Sequence, residues 1–225
     1  MLLLFDIDGT LLDGATDAHR IALDEAVKEV HGVDPAGLRA TVGPAGRTDG
    51  EIARLMLLDL GVSAARIDER ADAVREACCR IYAQIVPADL SAHVVPGMLE
   101  LLQWLSGRDG VTLGLVTGNF EPVARLKLAR AGLHQWLQSA PGAFGSDSED
   151  RAALPAIARR RAGHVAREQT IVIGDTPRDI ACARADGVRC VAVTTGQFGA
   201  EELSAADAVA RDAGELKQVL MELDV

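Results

Sequence analysis

Asp6 and Asp8 stand two residues apart at the end of an apolar run, in the stretch LLLFDIDGTLLDG. Carboxylates that close resist ionising together, so the pair costs free energy unless a cation or a proton lies between them. Two more polar stretches follow apolar runs in the same way: TGN at 117–119 and GDTPRD at 174–179. If the three runs are neighbouring parallel strands, their ends bring Asp6, Asp8 and Asp175 together, and three converging carboxylates call for a divalent cation. Mg2+ suits them, because it takes oxygen ligands and is commonly held by one or two carboxylates plus a phosphate. Beside such an ion one aspartate can attack a phosphoryl group, while a second protonates the leaving oxygen and later activates water.

Phosphoryl transfer also needs donors around the spreading negative charge. Thr117, Gly118 and Asn119 stand where a strand gives way to a helix, a place where orphan amides bind anions. Read structurally instead, Thr117 and Asn119 would be helix caps. Lysine occurs only at 28, 127 and 217, and the fixed cation is assigned to Arg151, which follows the acidic stretch SDSED.

These residues need elements to position them. Leu2 to Ile7 is a short continuous apolar run cut off by Asp-Gly, the pattern of a strand buried on both faces. A helical pattern runs from about 15 to 31 with Gly32 as its stop. Thr48 and Glu51 have capping-box spacing ahead of a helix to Gly61, and Ser63 caps another that ends before Pro87. From Pro96 onward helices and strands alternate: a strand ends at Thr117, GAFGS is a short strand, TIVIGD a further one, and residues 189–193 another. That order predicts an α/β fold: a Rossmann-like parallel sheet core with helices on both faces, formed by residues 1–14 and 91–225, and an inserted all-helical domain at 15–90. Ligands of such sheets bind outside the carboxyl ends of the strands.

Composition narrows the partners. The formal charge of −10 and pI near 4.9 disfavour a nucleic-acid or anionic-membrane surface and leave room for a small anion at a local basic site, which the phosphoryl chemistry above makes a small phosphorylated metabolite. No apolar run approaches the roughly 20 residues that span a bilayer, and MLLLFDIDG has neither a basic start nor a cleavage site, so a cytoplasmic protein is expected. Cys78, Cys79, Cys182 and Cys190 lack metal-ligand spacing and are expected to be reduced thiols. Arg159–Arg161 reads as a solvated helix end, and Arg178 as solvent-facing. In the insert, the glycine-rich loop GPAGRTDGE can carry Arg47 to a substrate carboxylate or second phosphate, the alternative being an ordinary solvated loop. His19 follows the expected hinge and is read as either a packing residue or one that reaches the substrate.

The set DIDGT (6–10), VTGN (116–119), Arg151 and GDTPRD (174–179) resembles the haloacid dehalogenase-like hydrolase superfamily, in its phosphatase branch, and the stretch from Thr117 to Leu133 is similar to its phosphoglycolate phosphatase-like members. The resemblance implies that Asp6 is the nucleophile, Asp8 the general acid/base with its backbone carbonyl on the metal, and Thr117 the phosphate-binding hydroxyl. It further implies that Arg151 stands where lysine is usual, that Asp175 is a metal ligand, that Asp179 is a supporting carboxylate near the metal, and that the helical insert is a cap. The alternative for Asp179 is that it stabilises the first turn of its helix by charge-dipole attraction. A phosphomutase of the beta-phosphoglucomutase type and a non-catalytic binding protein remain as alternatives on the same fold. Phosphonoacetaldehyde hydrolase chemistry would need a cap lysine, and Lys28 falls in mid-helix.

Overall fold

In β1 (Leu2–Phe5) every residue is fully buried, because the strand runs through the middle of a sheet covered on both faces. Successive side chains point to opposite faces: Leu3 and Phe5 enter one apolar cluster, Leu2 and Leu4 another. Flanking it are β2 (Thr112–Thr117), β3 (Gly142–Phe144), β4 (Thr170–Gly174), β5 (Arg189–Val193) and β6 (Ala208–Ala210), in the order β3-β2-β1-β4-β5-β6. All five pairings are parallel. The computed structural model describes residues 1–36, 38 and 42–225 of the 225-residue chain.

Among the described residues the α-helices named here are α1 (Asp17–His31), α2 (Asp49–Asp59), α3 (Ala64–Ile85), α4 (Met98–Ser106), α5 (Glu121–Arg130), α6 (His134–Leu137), α7 (Leu154–Arg161), α8 (Pro177–Asp186) and α9 (Ala213–Glu222). Met98 and Leu101 of α4, Val123 and Leu128 of α5, and Leu216 and Leu220 of α9 share the cluster of Leu3 and Phe5. Leu154 and Ala158 of α7, with Ile180 and Ala183 of α8, share that of Leu2 and Leu4. A fully buried leucine contributes about 1.5–3 kcal/mol by leaving water, so these two layers hold the sheet. The chain therefore has the α/β architecture read from its sequence. Beyond residue 193 the structure adds β6 and α9, which extend the sheet edge and cover it.

Between β1 and β2 the described residues of the insert form the three helices α1 to α3 and no strand. Their buried residues, among them Leu23, Met56 and Tyr82, belong to the same apolar cluster as Phe5 and Leu115, so the insert is seated on the sheet's helical layer. The chain enters and leaves it through adjacent backbone: Leu12 bridges Val94, the amide of Val95 donates to the Leu11 carbonyl (3.0 Å), and that of Asp13 to the His93 carbonyl (2.8 Å).

Thr48, fully buried, is the N-cap of α2: its hydroxyl accepts from the Glu51 amide (3.1 Å) and donates to the Glu149 carbonyl of the core (2.7 Å). The reciprocal half of the expected capping box is absent there, since Glu51 pairs with Arg47 instead. Thr48→Ala removes a cap and a bond joining insert to core, and should lower unfolding free energy by about 2 kcal/mol, read from the urea midpoint; an unchanged midpoint would show the bond to be idle. Arg159 is not a solvated helix end: it makes two bonds to the buried Asp186, at 2.6 and 2.8 Å, and Arg161 pairs with Asp147. All four cysteines are free thiols.

Candidate active site

Phe5 is in register with Leu115 on one side and Ile173 on the other, so β1, β2 and β4 end at one level. Asp6 leaves β1 with its amide on the Ile173 carbonyl (2.9 Å), Thr117 closes β2, and Asp175 follows β4. The strand order reverses direction here, and a crevice opens outside the strand ends. One cavity of about 700 Å³ is lined by Asp6, Asp8, Thr117, Gly118, Asn119, Arg151 and Asp175 from the core and by Arg47 and His19 from the insert. Asp179 lies beneath it, fully buried.

Three carboxylates, from Asp6, Asp175 and Asp179, offer oxygens that all lie within 4.8 Å of one another. Burial pushes Asp6 up to about 7, with Asp179 and Asp8 adding repulsion and Arg151 opposing it. Burial likewise pushes Asp175 up to about 8, reinforced by Asp6 and Asp179. The backbone makes room for this crowding: a Cβ on Gly196 would stand 1.8 Å from Asp175 Oδ2, and one on Gly9, which has φ +89°, would stand 2.1 Å from it. An all-oxygen, buried, under-compensated cluster of this kind fits a hard divalent cation.

Arg151 is the nearest positive charge. Its guanidinium pairs with Asp179 and lies 3.2 Å from Asp6 Oδ1, and those two carboxylates keep it charged despite burial. Its Nε is buried without a partner, as is Oδ1 of Asn119. Asp179 has both oxygens engaged, one with Arg151 and the other with the Thr176 amide (3.0 Å) and hydroxyl (2.7 Å). With Thr176 it forms the capping box of α8, so the helix-end reading of Asp179 describes its hydrogen bonds.

The side chain of Asp8 goes elsewhere than the sequence reading placed it. Rather than joining the carboxylate cluster, both its oxygens lie 2.7 Å from Lys127 Nζ, and Asn119 Nδ2 donates to Oδ2 at 2.9 Å. Burial alone would raise its pKa, but Lys127 first, then Asn119, bring it below the ordinary carboxylate value. Lys127, on α5 and fully buried, is a second cation of the site besides the expected Arg151, and the two sit on different carboxylates. The one signal in the sequence is the scarcity of lysine, combined with its place ten residues after Thr117. His19, whose ring packs edge-on to Tyr82, lies with Nδ1 3.1 Å from Lys127 Nζ and Nε2 2.9 Å from Asp49 Oδ2.

Gly118 permits the insert's approach: a Cβ there would sit 2.1 Å from the Arg47 carbonyl. The amide of Asp49 donates to the Gly118 carbonyl (2.8 Å) and its Oδ2 accepts from the Phe120 amide (2.7 Å). Arg47 faces the cavity but is paired with Glu51 and bonded to the Val42 carbonyl. Arg178 is not solvent-facing: it lines the same cavity, donates to the Ala45 carbonyl of the insert at 2.6 Å, and has its pKa lowered by burial and by Arg47 and Arg151.

Comparison with known proteins matches this constellation to a family. The model of the haloacid dehalogenase-like hydrolases covers residues 3–184. The probable phosphatase IndB of Dickeya dadantii is 30% identical over 92% of this chain and 86% of that protein. The phosphoglycolate phosphatase of Rhodospirillum rubrum is 32% identical over 86% of this chain and 79% of its own length. Among solved structures, a hydrolase from Pseudomonas syringae superposes with TM-score 0.71 at 23% identity over 98% of this chain and 97% of that one, and the beta-phosphoglucomutase of Clostridium difficile with 0.72 at 16% over 99% and 96%; these two show the fold. No helix of the described residues is long and apolar enough to cross a membrane. With the family model spanning most of the chain and the site built on its strand ends, the protein belongs to the haloacid dehalogenase-like hydrolase family and stands among its phosphatases.

Proposed function

We propose that the protein is a Mg2+-dependent phosphatase that hydrolyses a small phosphorylated metabolite through an aspartyl-phosphate on Asp6. The observation that carries this reading is the unequal treatment of the two carboxylates of DID: Asp6 is crowded with Asp175 and Asp179, whereas Asp8 is held apart by Lys127 and Asn119. Two carboxylates in contrasting environments can divide nucleophilic and proton-transfer work.

In this mechanism Asp6, Asp175 and the backbone carbonyl of Asp8 hold the cation, with Asp179 supporting them. When bound, Mg2+ neutralises the crowded carboxylates and the phosphate charge. Thr117 and the amides of Gly118 and Asn119 grip the phosphoryl oxygens, and the free Nε of Arg151 supplies a further donor beside Asp6. Asp6 attacks phosphorus while a proton brought in by the monoanionic ester passes through Asp8, otherwise held as a carboxylate, to the departing oxygen; the Asp8 carboxylate then takes a proton from the water that frees Asp6. Residues 15–90 act as a cap over residues 1–14 and 91–225, and Arg47 and Arg178 face a substrate's remote end. The names of the relatives make phosphoglycolate the first ester to test. The four free thiols support a cytoplasmic setting.

The test is phosphate release from phosphoglycolate, sugar phosphates and nucleoside monophosphates, with Mg2+ and with chelator. Release from at least one ester, falling by about 100-fold or more without metal, is expected. Undiminished release in chelator would remove the metal from the mechanism, and no release from any ester by metal-saturated protein would overturn the phosphatase reading.

A further inference from the structure

The row Asp8, Lys127, His19, Asp49, half-buried at Asp8 and buried beyond it, runs from the crevice to the seam between insert and core, and its proton arrangement is determined by chemistry. A lysine ammonium only donates, so at 3.1 Å His19 Nδ1 is the acceptor. The imidazole then carries its proton on Nε2, which donates to Asp49 Oδ2 at 2.9 Å. The same Asp49 oxygen accepts from the Phe120 amide, and the Asp49 amide donates to the Gly118 carbonyl. Asp8 and Lys127 are core residues, while His19 and Asp49 begin two different helices of the insert. The side chains of Lys127, His19 and Asp49 are 0, 10 and 4% exposed, so water does not replace any of these partners without a rearrangement.

We propose that Lys127 is the positioning residue for the Asp8 carboxylate, and that His19 and Asp49 make this positioning depend on the insert being seated against Gly118 and Phe120. Both Asp8 oxygens are 2.7 Å from one ammonium, which fixes the carboxylate plane, and the third hydrogen of that ammonium is spent on His19. Displacing the insert withdraws His19 and breaks the seam bonds of Asp49 together. Lys127 is then left with Asp8 alone and a hydrogen to place, and the carboxylate loses its fixed orientation. Proton transfer is thereby confined to the seated state, in which the crevice is covered. The inference rests on the phosphatase reading for its kinetic part, but the coupling between Lys127 and the seam does not.

Two variants test it. Lys127→Met keeps the length of the side chain and removes the ammonium; His19→Phe keeps the ring against Tyr82 and cannot accept from Lys127. In Lys127→Met, kcat on an alkyl phosphate is expected to fall about 100-fold, the scale of a lost acid/base contribution, with KM within about threefold. With p-nitrophenyl phosphate, whose phenolate leaves without a proton, the same variant should release one equivalent rapidly and then stall, because the water step still needs Asp8. His19→Phe should show the same pattern with about a tenfold loss, and it carries the test if Lys127→Met does not fold. Equal losses on both esters with no burst would overturn the positioning role. Hydrogen exchange of the segment 44–58, read without substrate or metal, should quicken at least about tenfold in either variant, the factor that corresponds to one lost bond; unchanged exchange would overturn the coupling. A wild type that hydrolyses neither ester would sink the phosphatase reading, and the exchange result would still decide the coupling.

Discussion

Asp6→Asn is expected to purify as a folded protein with its phosphatase turnover reduced by a factor on the order of 10⁴ or more, the scale seen when a nucleophile is removed. The amide has nearly the shape of the carboxylate and cannot attack phosphorus, so the loss should fall on kcat. Its effect on the metal-free fold should run the other way. Asp6 is pushed up to about 7 by burial, so between the ordinary carboxylate value and about 7 the folded protein holds a proton that the unfolded chain has released. Stability that rests on that proton is present at low pH and is lost as pH rises through about 7; Asp175, pushed up to about 8, adds to the same trend. Metal-free wild type should therefore lose stability from pH 5 to pH 8, and Asp6→Asn should lose less, as read from thermal unfolding in chelator. Wild-type turnover retained by purified Asp6→Asn would sink the covalent mechanism, and a flat pH profile of metal-free stability would contradict the crowding of the carboxylates.

The largest structural loss is expected at Asp179. Its carboxylate is fully buried, partners Arg151, and accepts from both the amide and the hydroxyl of Thr176. Asp179→Ala strands a guanidinium that is only 7% exposed and undoes the capping box of α8. Removing one partner of a buried ion pair costs about 3–5 kcal/mol, so the urea midpoint should fall steeply. Asp179→Asn keeps an acceptor for Thr176 and should cost clearly less. If the alanine variant loses under about 1 kcal/mol, the Asp6 contact alone suffices to hold Arg151.

What the sequence displayed of this site follows from how the fold advertises it. Asp6, Thr117 and Asp175 each terminate a continuous apolar run, and a parallel sheet with β1 between β2 and β4 has to bring those ends together. Lys127 carries no such mark. It lies within ARLKLAR on α5, where a lysine resembles any solvent-facing helical residue, and only the tertiary position of Asp8 makes it a core residue. Arg178 and Arg159 were hidden for the same reason: their partners, the Ala45 carbonyl and Asp186, are 133 and 27 residues away. The capping box was legible as a pattern but fell in the wrong place, since Glu51 is claimed by Arg47 while Thr176 and Asp179 complete theirs in the core. At β6 a three-residue strand of alanine and valine offers too little alternation to distinguish it from a loop.

The paired backbone at Leu11–Asp13 and His93–Val95 has a consequence for how such a protein can change. To the sheet, everything between those two segments is one long excursion that departs and returns at the same doorway. Lengthening an excursion of this kind adds only about 0.6 kcal/mol of closure entropy per doubling, so the core tolerates helical inserts of very different size. By closure entropy alone the insert is an exchangeable part. Physically it is not, because Leu23, Met56 and Tyr82 share an apolar layer with Phe5 and Leu115, and an exchange that did not re-cover that layer would leave the core greasy and prone to associate. An exchange at this doorway therefore keeps the core covered only when the incoming helices bring a matching underside.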